Sequence, residues 1–256
     1  MTFPLNSLTR NFKLTKNALL EKTPLKNKTK GIVQTGGRNH KGKIVSFHRG
    51  GARKRLYRQL QFENFPANCI VESIEVDPNR TGLLAKLFSV GSRKHFYVLA
   101  PAWLYKGQKY NFCGNKELQL GSKRFLFDIP IGSKINSITA NFRPWRSVFQ
   151  RAAGNFALLL KKSFTISVIR FSSGKIAELN KTTFGFLGSV SNENLRFLNV
   201  GSAGKQRKFG IRPHTRGVAM NPVDHPHGGG EGRSSGGRPS VTPWSKPAHG
   251  KKTKKK

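Results

Sequence analysis

The chain has 256 residues, with 47 Lys and Arg against 11 Asp and Glu and a formal net charge of +36. A charge this one-sided repels itself until a polyanion neutralises it, and nucleic acid does so best, which excludes an ordinary soluble enzyme. No apolar run is long enough to span a bilayer, no apolar stretch of signal-peptide type follows the first basic residues, and two cysteines without CxxC spacing point to a reducing compartment.

The excess charge is not spread evenly. Residues 1–61 carry +14, residues 62–131 only +3, residues 132–200 +8 and residues 201–256 +11. Residues 1–61 read as a basic extension, in which Gly36-Gly37 and Gly50-Gly51 punctuate a run of Arg and Lys.

Residues 62–131 read as a small barrel of five strands: Ile70 to Val76, Leu83 to Val90, Lys94 to Ala100, Gln108 to Phe112 and Arg124 to Ile129. The first is β-branched and stops at the turn signal Asp77-Pro78-Asn79. Residues 132–200 restart the pattern, with Ile135 to Ala140, Phe156 to Leu160, Phe164 to Phe171, Lys175 to Leu179 and Phe184 to Val190 as strands. Ser172-Ser173-Gly174 closes a hairpin between the third and fourth of these. The boundary between the two barrels falls near Gly132.

Residues 201–256 show no apolar period, and Gly and Pro recur throughout, as in Gly228-Gly229-Gly230, Gly236-Gly237, Pro222, Pro226, Pro239, Pro243 and Pro247. Ordering such a segment costs more entropy than its burial returns, so it is expected to take shape only on a partner. Glycine lets backbone approach backbone and offers amide donors to phosphate, while arginine forks across phosphates or stacks on bases.

Two alternatives come from the same residues. His214, His225, His227 and His249 with Asp224 or Glu231 suggest zinc or a metal-dependent nuclease, but the segment has no regular element to fix four ligands. Hydrogen bonding and stacking against nucleotides suits these imidazoles better. A chain this basic could also compact nucleic acid without specificity. Phe62, Phe96, Tyr97, Phe125, Phe127, Phe164, Phe171, Phe184 and Phe186 stand mostly at period-two positions and are expected in the core, as are Cys69 and Cys113.

Asn221-Pro222-Val223-Asp224-His225-Pro226-His227-Gly228-Gly229-Gly230-Glu231-Gly232-Arg233, after Arg216-Gly217-Val218-Ala219-Met220 and before Gly236-Gly237-Arg238 and Pro243-Trp244-Ser245-Lys246-Pro247, closely resembles the universal large-ribosomal-subunit protein L-two family. Gly37 to Ile44, His48 to Arg58, Glu75 to Arg80 and Leu99-Ala100-Pro101 resemble the same family in the same order. Residues 141–150 depart from the glycine-rich stretch that the family usually shows there, and residues 1–34 match nothing in it.

The resemblance implies a mainly β chain: an oligonucleotide-binding-type barrel, then an SH3-like barrel, with extended basic arms. It implies a structural constituent of the large ribosomal subunit that binds the large-subunit rRNA and neighbouring ribosomal proteins. Support of assembly, of subunit association across the small-subunit face and of the peptidyl-transferase region follows from it too. His225 matches the family histidine tied to that last role. No catalysis, membrane, small-molecule substrate or cofactor is implied beyond structural Mg2+ of the rRNA.

The RNA-binding residues expected on these grounds are Arg38, Lys41, His48, Arg49, Arg53, Lys54, Arg55, Arg58, Arg80, Arg207, Lys208, Arg212, Arg216, His225, His227, Arg233, Arg238, Trp244 and Lys246. The bacterial character of the type leaves a bacterial cytoplasmic or an organellar ribosome. Its 19 Phe, with many Lys and Asn, favour the mitochondrial one.

Overall fold

A computed structural model of the chain describes residues 23–62, 66, 68–111, 118–140, 143–198, 201–232 and 235–249. Cys113 and Arg233 lie outside the described residues. The chain divides into two compact units, one of residues 1–33 with 54–199, the other of residues 34–53 with 200–256.

The first unit is mainly β, as expected, and holds two larger sheets and two separate strand pairs. Strands β1 (Thr29–Gly31) and β2 (Leu56–Arg58) form an antiparallel pair. Strands β3 (Asn68–Glu75), β4 (Leu84–Ser89), β5 (His95–Leu99) and β6 (Lys109–Asn111) make an antiparallel sheet in the order β5-β4-β3-β6. The side-chain alternation of a strand is plain in β3, where Cys69, Val71, Ser73 and Glu75 are buried and their alternates are not. Cys69, Val71, Ala85, Leu87, Phe96, Val98 and Tyr110 pack together behind this sheet. Burial pushes the Cys69 thiol up to about 11, which leaves it an apolar filler rather than a nucleophile.

The second sheet has six strands in the order β13-β12-β11-β8-β14-β7. Its members are β7 (Lys123–Phe125), β8 (Lys134–Asn136), β11 (Ala157–Lys162), β12 (Ile166–Phe171), β13 (Ile176–Asn180) and β14 (Phe184–Leu187). β12 and β13 form the expected hairpin. β9 (Ile138–Ala140) and β10 (Arg143–Phe149) pair separately, so the divergent segment supplies a strand. Ser137, at φ 50°, breaks the strand expected from Ile135 to Ala140 into β8 and β9. Leu126, Ile129, Ile135, Ile138, Ala157, Leu159 and Ile169 form this sheet's core.

Two expectations need correction. The strand assigned to the end of the first barrel, β7, pairs with β14 across Phe125/Phe184 and Lys123/Phe186, so it belongs to the second sheet. The change of sheet therefore comes ahead of Gly132. Nor do the first sixty residues stand apart as one arm. Leu25 and Leu60 pack against a core of Leu84, Tyr97, Leu99 and Val190, and the Leu25 N–H donates to the Tyr97 hydroxyl at 2.8 Å.

That last cluster joins the two sheets. Val190 follows β14, yet it packs against residues of β4 and β5. Beside it the Ala102 N–H donates to Ser189 O at 2.8 Å, the Ser191 N–H to Ala100 O at 3.0 Å, and the Asn192 amide to Thr81 O at 2.6 Å. Phe186 of the second sheet packs into the first sheet's core.

Candidate nucleic-acid interface

A buried charge network shapes the basic strand β2. Glu75, fully buried, accepts from the Tyr97 hydroxyl at 2.9 Å and from Arg58 Nε at 3.4 Å. Asp77 takes Arg58 at 3.8 Å and Arg80 Nε at 3.1 Å, and its Oδ1 also accepts the Asn79 N–H, which closes the turn foreseen at Asp77-Pro78-Asn79. Desolvation holds the Glu75 carboxyl above the usual range despite these donors, and burial with the adjacent carboxylate pushes the Tyr97 hydroxyl up to about 12.

These contacts correct one expectation. Arg58 is buried and engaged by two carboxylates, so it positions β2 rather than reaching a phosphate. Arg80 is half-buried, ion-paired to Asp77, donating to Arg58 O and lying 5.2 Å over the Tyr57 ring.

The second unit has a different character. It contains 18 Lys and Arg against Asp224 and Glu231, and no ion pair of its basic residues occurs among the described residues. Its only buried described residue is His225, and no apolar side chain is buried among the described residues of this unit. Backbone hydrogen bonds and glycines give it form instead.

Asn39 Oδ1 accepts the N–H groups of both Lys41 and Lys43 at 3.0 Å, an Asx-type turn that pushes these lysines outward. The carbonyl of Gly37, at φ 80°, accepts the N–H groups of Val45 and Ser46, and a Cβ there would stand 2.1 Å from Ser46 O. No other residue fits that turn.

This loop is tied to the C-terminal segment of the same unit. The Arg212 N–H donates to His48 O at 2.9 Å, the Gly50 N–H donates to Gly210 O at 3.0 Å, and His48 Nδ1 donates to Pro213 O at 2.8 Å. The His48 and His214 rings stack at 4.4 Å. Helix α1 (Ala203–Lys208) leads into this join with Lys205, Arg207 and Lys208 in its last turn, where cations suit the helix's negative end.

The His225 loop is built on the same plan. The Gly228 N–H donates to His225 O at 2.8 Å and the Gly229 N–H to Met220 O at 3.1 Å. A Cβ on Gly228 would meet Asn221 O at 2.2 Å, and one on Gly217 would meet the His225 ring at 2.5 Å. His225 Nδ1 accepts the His227 N–H at 3.0 Å, and the two rings stack at 5.1 Å. His227 in turn donates from Nδ1 to Gly236 O at 2.8 Å and accepts the Val241 N–H on Nε2 at 3.1 Å.

Both histidines, expected to hydrogen-bond and stack against nucleotides, spend ring nitrogens on the backbone of their own loop. His227 has both nitrogens engaged by backbone, and His225 keeps only Nε2 without a hydrogen-bond partner among the described residues. Neither has a free pair of donors for a metal set, and no group of three His, Cys, Asp or Glu that could hold a metal ion occurs among the described residues. Beyond this loop, the backbone of residues 241–247 folds back through Thr242 N–H to Lys246 O at 2.8 Å, with Trp244 at its tip.

Of the remaining expected residues, Arg38, Lys41, His48, Arg49, Arg53, Lys54, Lys208, Arg212, Arg216, Arg238, Trp244 and Lys246 are exposed, and Arg55 and Arg207 are half-buried. Arg55 reaches Pro78 O at 3.1 Å within the barrel unit, and Arg207 reaches Ile211 O at 3.5 Å within the other. Phe47 is exposed, 6.0 Å from the Trp244 ring, and went unnoticed in the sequence; an aromatic residue between Lys43 and Arg49 was the available signal.

Comparison with known proteins agrees with this arrangement. Residues 25–111 match the model of the ribosomal proteins L2 RNA-binding N-terminal domain, and residues 119–245 that of the L2 C-terminal domain. The chain is 42% identical over 251 residues to the large ribosomal subunit protein uL2 of Rickettsia peacockii, a match covering 97% of this chain and 91% of that protein. The uL2 proteins of Rickettsia rickettsii and Rickettsia bellii are each 41% identical over the same shares. With both domain models matched in order and a seam of shared core between the two sheets, the chain belongs to the ribosomal protein L2 family.

Proposed function

We infer that the chain is a structural constituent of the large ribosomal subunit that binds its ribosomal RNA and takes no catalytic part. One observation carries this reading: a unit with 18 basic side chains, no apolar core and no internal ion pair among its described residues. Such a unit lacks the burial that would hold it together alone, and a polyanion supplies both the neutralisation and the packing surface. Its glycine-fixed turns bring backbone as well as Lys and Arg to the RNA.

Within that role the exposed set from Arg38 to Lys246 contacts phosphate and bases, with Mg2+ supplied by the RNA and not by a site of the chain. Arg233 belongs to the same set by its sequence motif. The seam-joined barrels face neighbouring ribosomal proteins. The His225 loop serves the peptidyl-transferase region through shape, since its ring is packed inward, and the subunit also meets the small subunit through this chain. The ribosome is proposed to be mitochondrial on composition, while the relatives named above are bacterial; cell fractionation followed by sedimentation of large subunits decides this.

The test is incorporation. Arg212→Ala with Arg238→Ala is expected to reduce the share of chain sedimenting with large subunits and to lower the slope of log affinity against log salt by about 0.7 per lost phosphate contact. Unchanged incorporation and slope would remove the interface. A nuclease built on His225, His227 and Asp224 has no support in the geometry, where the imidazole nitrogens hold the loop together.

A further inference from the structure

Nine aromatic residues of the barrels were expected mainly in the core, and three phenylalanines are not there. Phe164 is 83% exposed, Phe127 52% and Phe125 41%. They do not lie scattered. Phe125 stacks on Phe184 at 4.1 Å across the β7–β14 pair, and Lys123 Nζ lies 4.3 Å over the Phe184 ring. Lys181 Nζ lies 4.3 Å from the Phe164 ring centre and 5.9 Å from that of Phe127, and Lys162 lies 5.9 Å from Phe127 while donating to its carbonyl at 2.7 Å. The rings thus form two groups, Phe125 with Phe184 across β7 and β14 and Phe127 with Phe164 around Lys181, which approach along the chain where Phe125 and Phe127 stand two residues apart, and an amine lies over three of the four rings.

Leaving a phenylalanine ring in water is unfavourable, and a lysine laid over it recovers little of that at an exposed site. Neither Lys162 nor Lys181 forms an ion pair among the described residues, although Glu178 stands three residues before Lys181 in the sequence. A ligand suited to this face offers flat apolar rings and, one bond system away, negative charge for the amines. Unpaired nucleotides do both: each base covers a ring and each phosphate takes the lysine that the base displaces. An acidic peptide would satisfy the lysines and leave the Phe164 ring in water.

We propose that the Phe125, Phe127, Phe164 and Phe184 face of the second barrel is a stacking platform for unpaired RNA bases, separate from the glycine-rich unit. It rests on the ribosomal RNA-binding role inferred above and adds a second mode, in which ring faces rather than charge hold the strand. Two measurements test it. Ultraviolet irradiation of assembled large subunits, followed by peptide mapping, is expected to yield nucleotide adducts on the peptides carrying Phe127 and Phe164; adducts to protein there, or none, would overturn the proposal. The free full-length chain is then titrated with a twelve-nucleotide oligouridylate in high salt, where phosphate contacts are suppressed. Phe127→Leu with Phe164→Leu is expected to bind about tenfold more weakly, and Phe127→Tyr with Phe164→Tyr to bind as the original does. Equal binding by the leucine variant would sink the idea. Should the chain fail to enter subunits at all, the role inferred for the basic unit is at fault, and the titration still decides the platform.

Discussion

The barrel unit and the glycine-rich unit of one chain handle charge in opposite ways. In the barrels every ion pair among the described residues is drawn from Glu72, Glu75 and Asp77, and Glu75 and Asp77 are fully buried beneath Arg58 and Arg80. In the other unit most described cations are exposed and none forms an ion pair among the described residues, and hydrogen bonds between backbone groups and imidazoles set the shape. Acid placement therefore separates a region that holds itself together from one completed by its ligand.

The largest effect expected from breaking this contrast is in the buried network. Arg58→Ala leaves Glu75 and Asp77 without their shared guanidinium, and such a loss costs about 3–5 kcal/mol. Thermal unfolding of the barrels should fall by many degrees; an unchanged midpoint would mean that the network is idle.

Glycine substitutions sharpen the comparison next. A Cβ on Gly185 would stand 2.4 Å from Ile135 Cγ2, so Gly185→Ala overpacks the second core and should cost about 1–3 kcal/mol in denaturant unfolding. Gly228→Ala collides with Asn221 O just as closely, yet no core lies there. Its expected signature is normal barrel stability with poor entry into large subunits, read by sedimentation.

The Glu75 carboxyl gives a smaller effect with a definite sign. Its folded-state pKa is raised, so the folded chain binds more protons than the unfolded one above the ordinary carboxylate value of about 4. Stability from this group is present below that value and is lost as pH rises toward the folded pKa. In urea titrations, the gap between the original and Glu75→Gln should shift in the original's favour on acidification through this window; a flat gap would refute the shift. Smallest of all, Arg238→Ala should alter barrel stability by less than about 0.5 kcal/mol while still weakening RNA binding.

The strands from Ile70 to Ala100 were legible because β-branched and aromatic residues alternate there and a proline turn stops the first of them. β7 was assigned to the wrong sheet because three residues carry too little pattern to name a partner; its pairing with Phe184 to Phe186 is a long-range choice. Sequence marked the basic loops well, since composition alone reports them. It could not tell Arg58 from Arg55, because two carboxylates brought by a distant strand bury one and leave the other at the rim. His225 was foreseen as a contact but not as a packed ring: Gly217 makes room for it, and an absent side chain carries no pattern of its own.

The Leu84, Tyr97, Leu99 and Val190 cluster has a mechanical consequence. With Val190 lodged among residues of the other sheet and Phe186 in its core, the two barrels have no hinge between them, and swivelling would tear open apolar surface. Heat should melt both together in a single cooperative step, and a force applied to either should be felt at once by its neighbour.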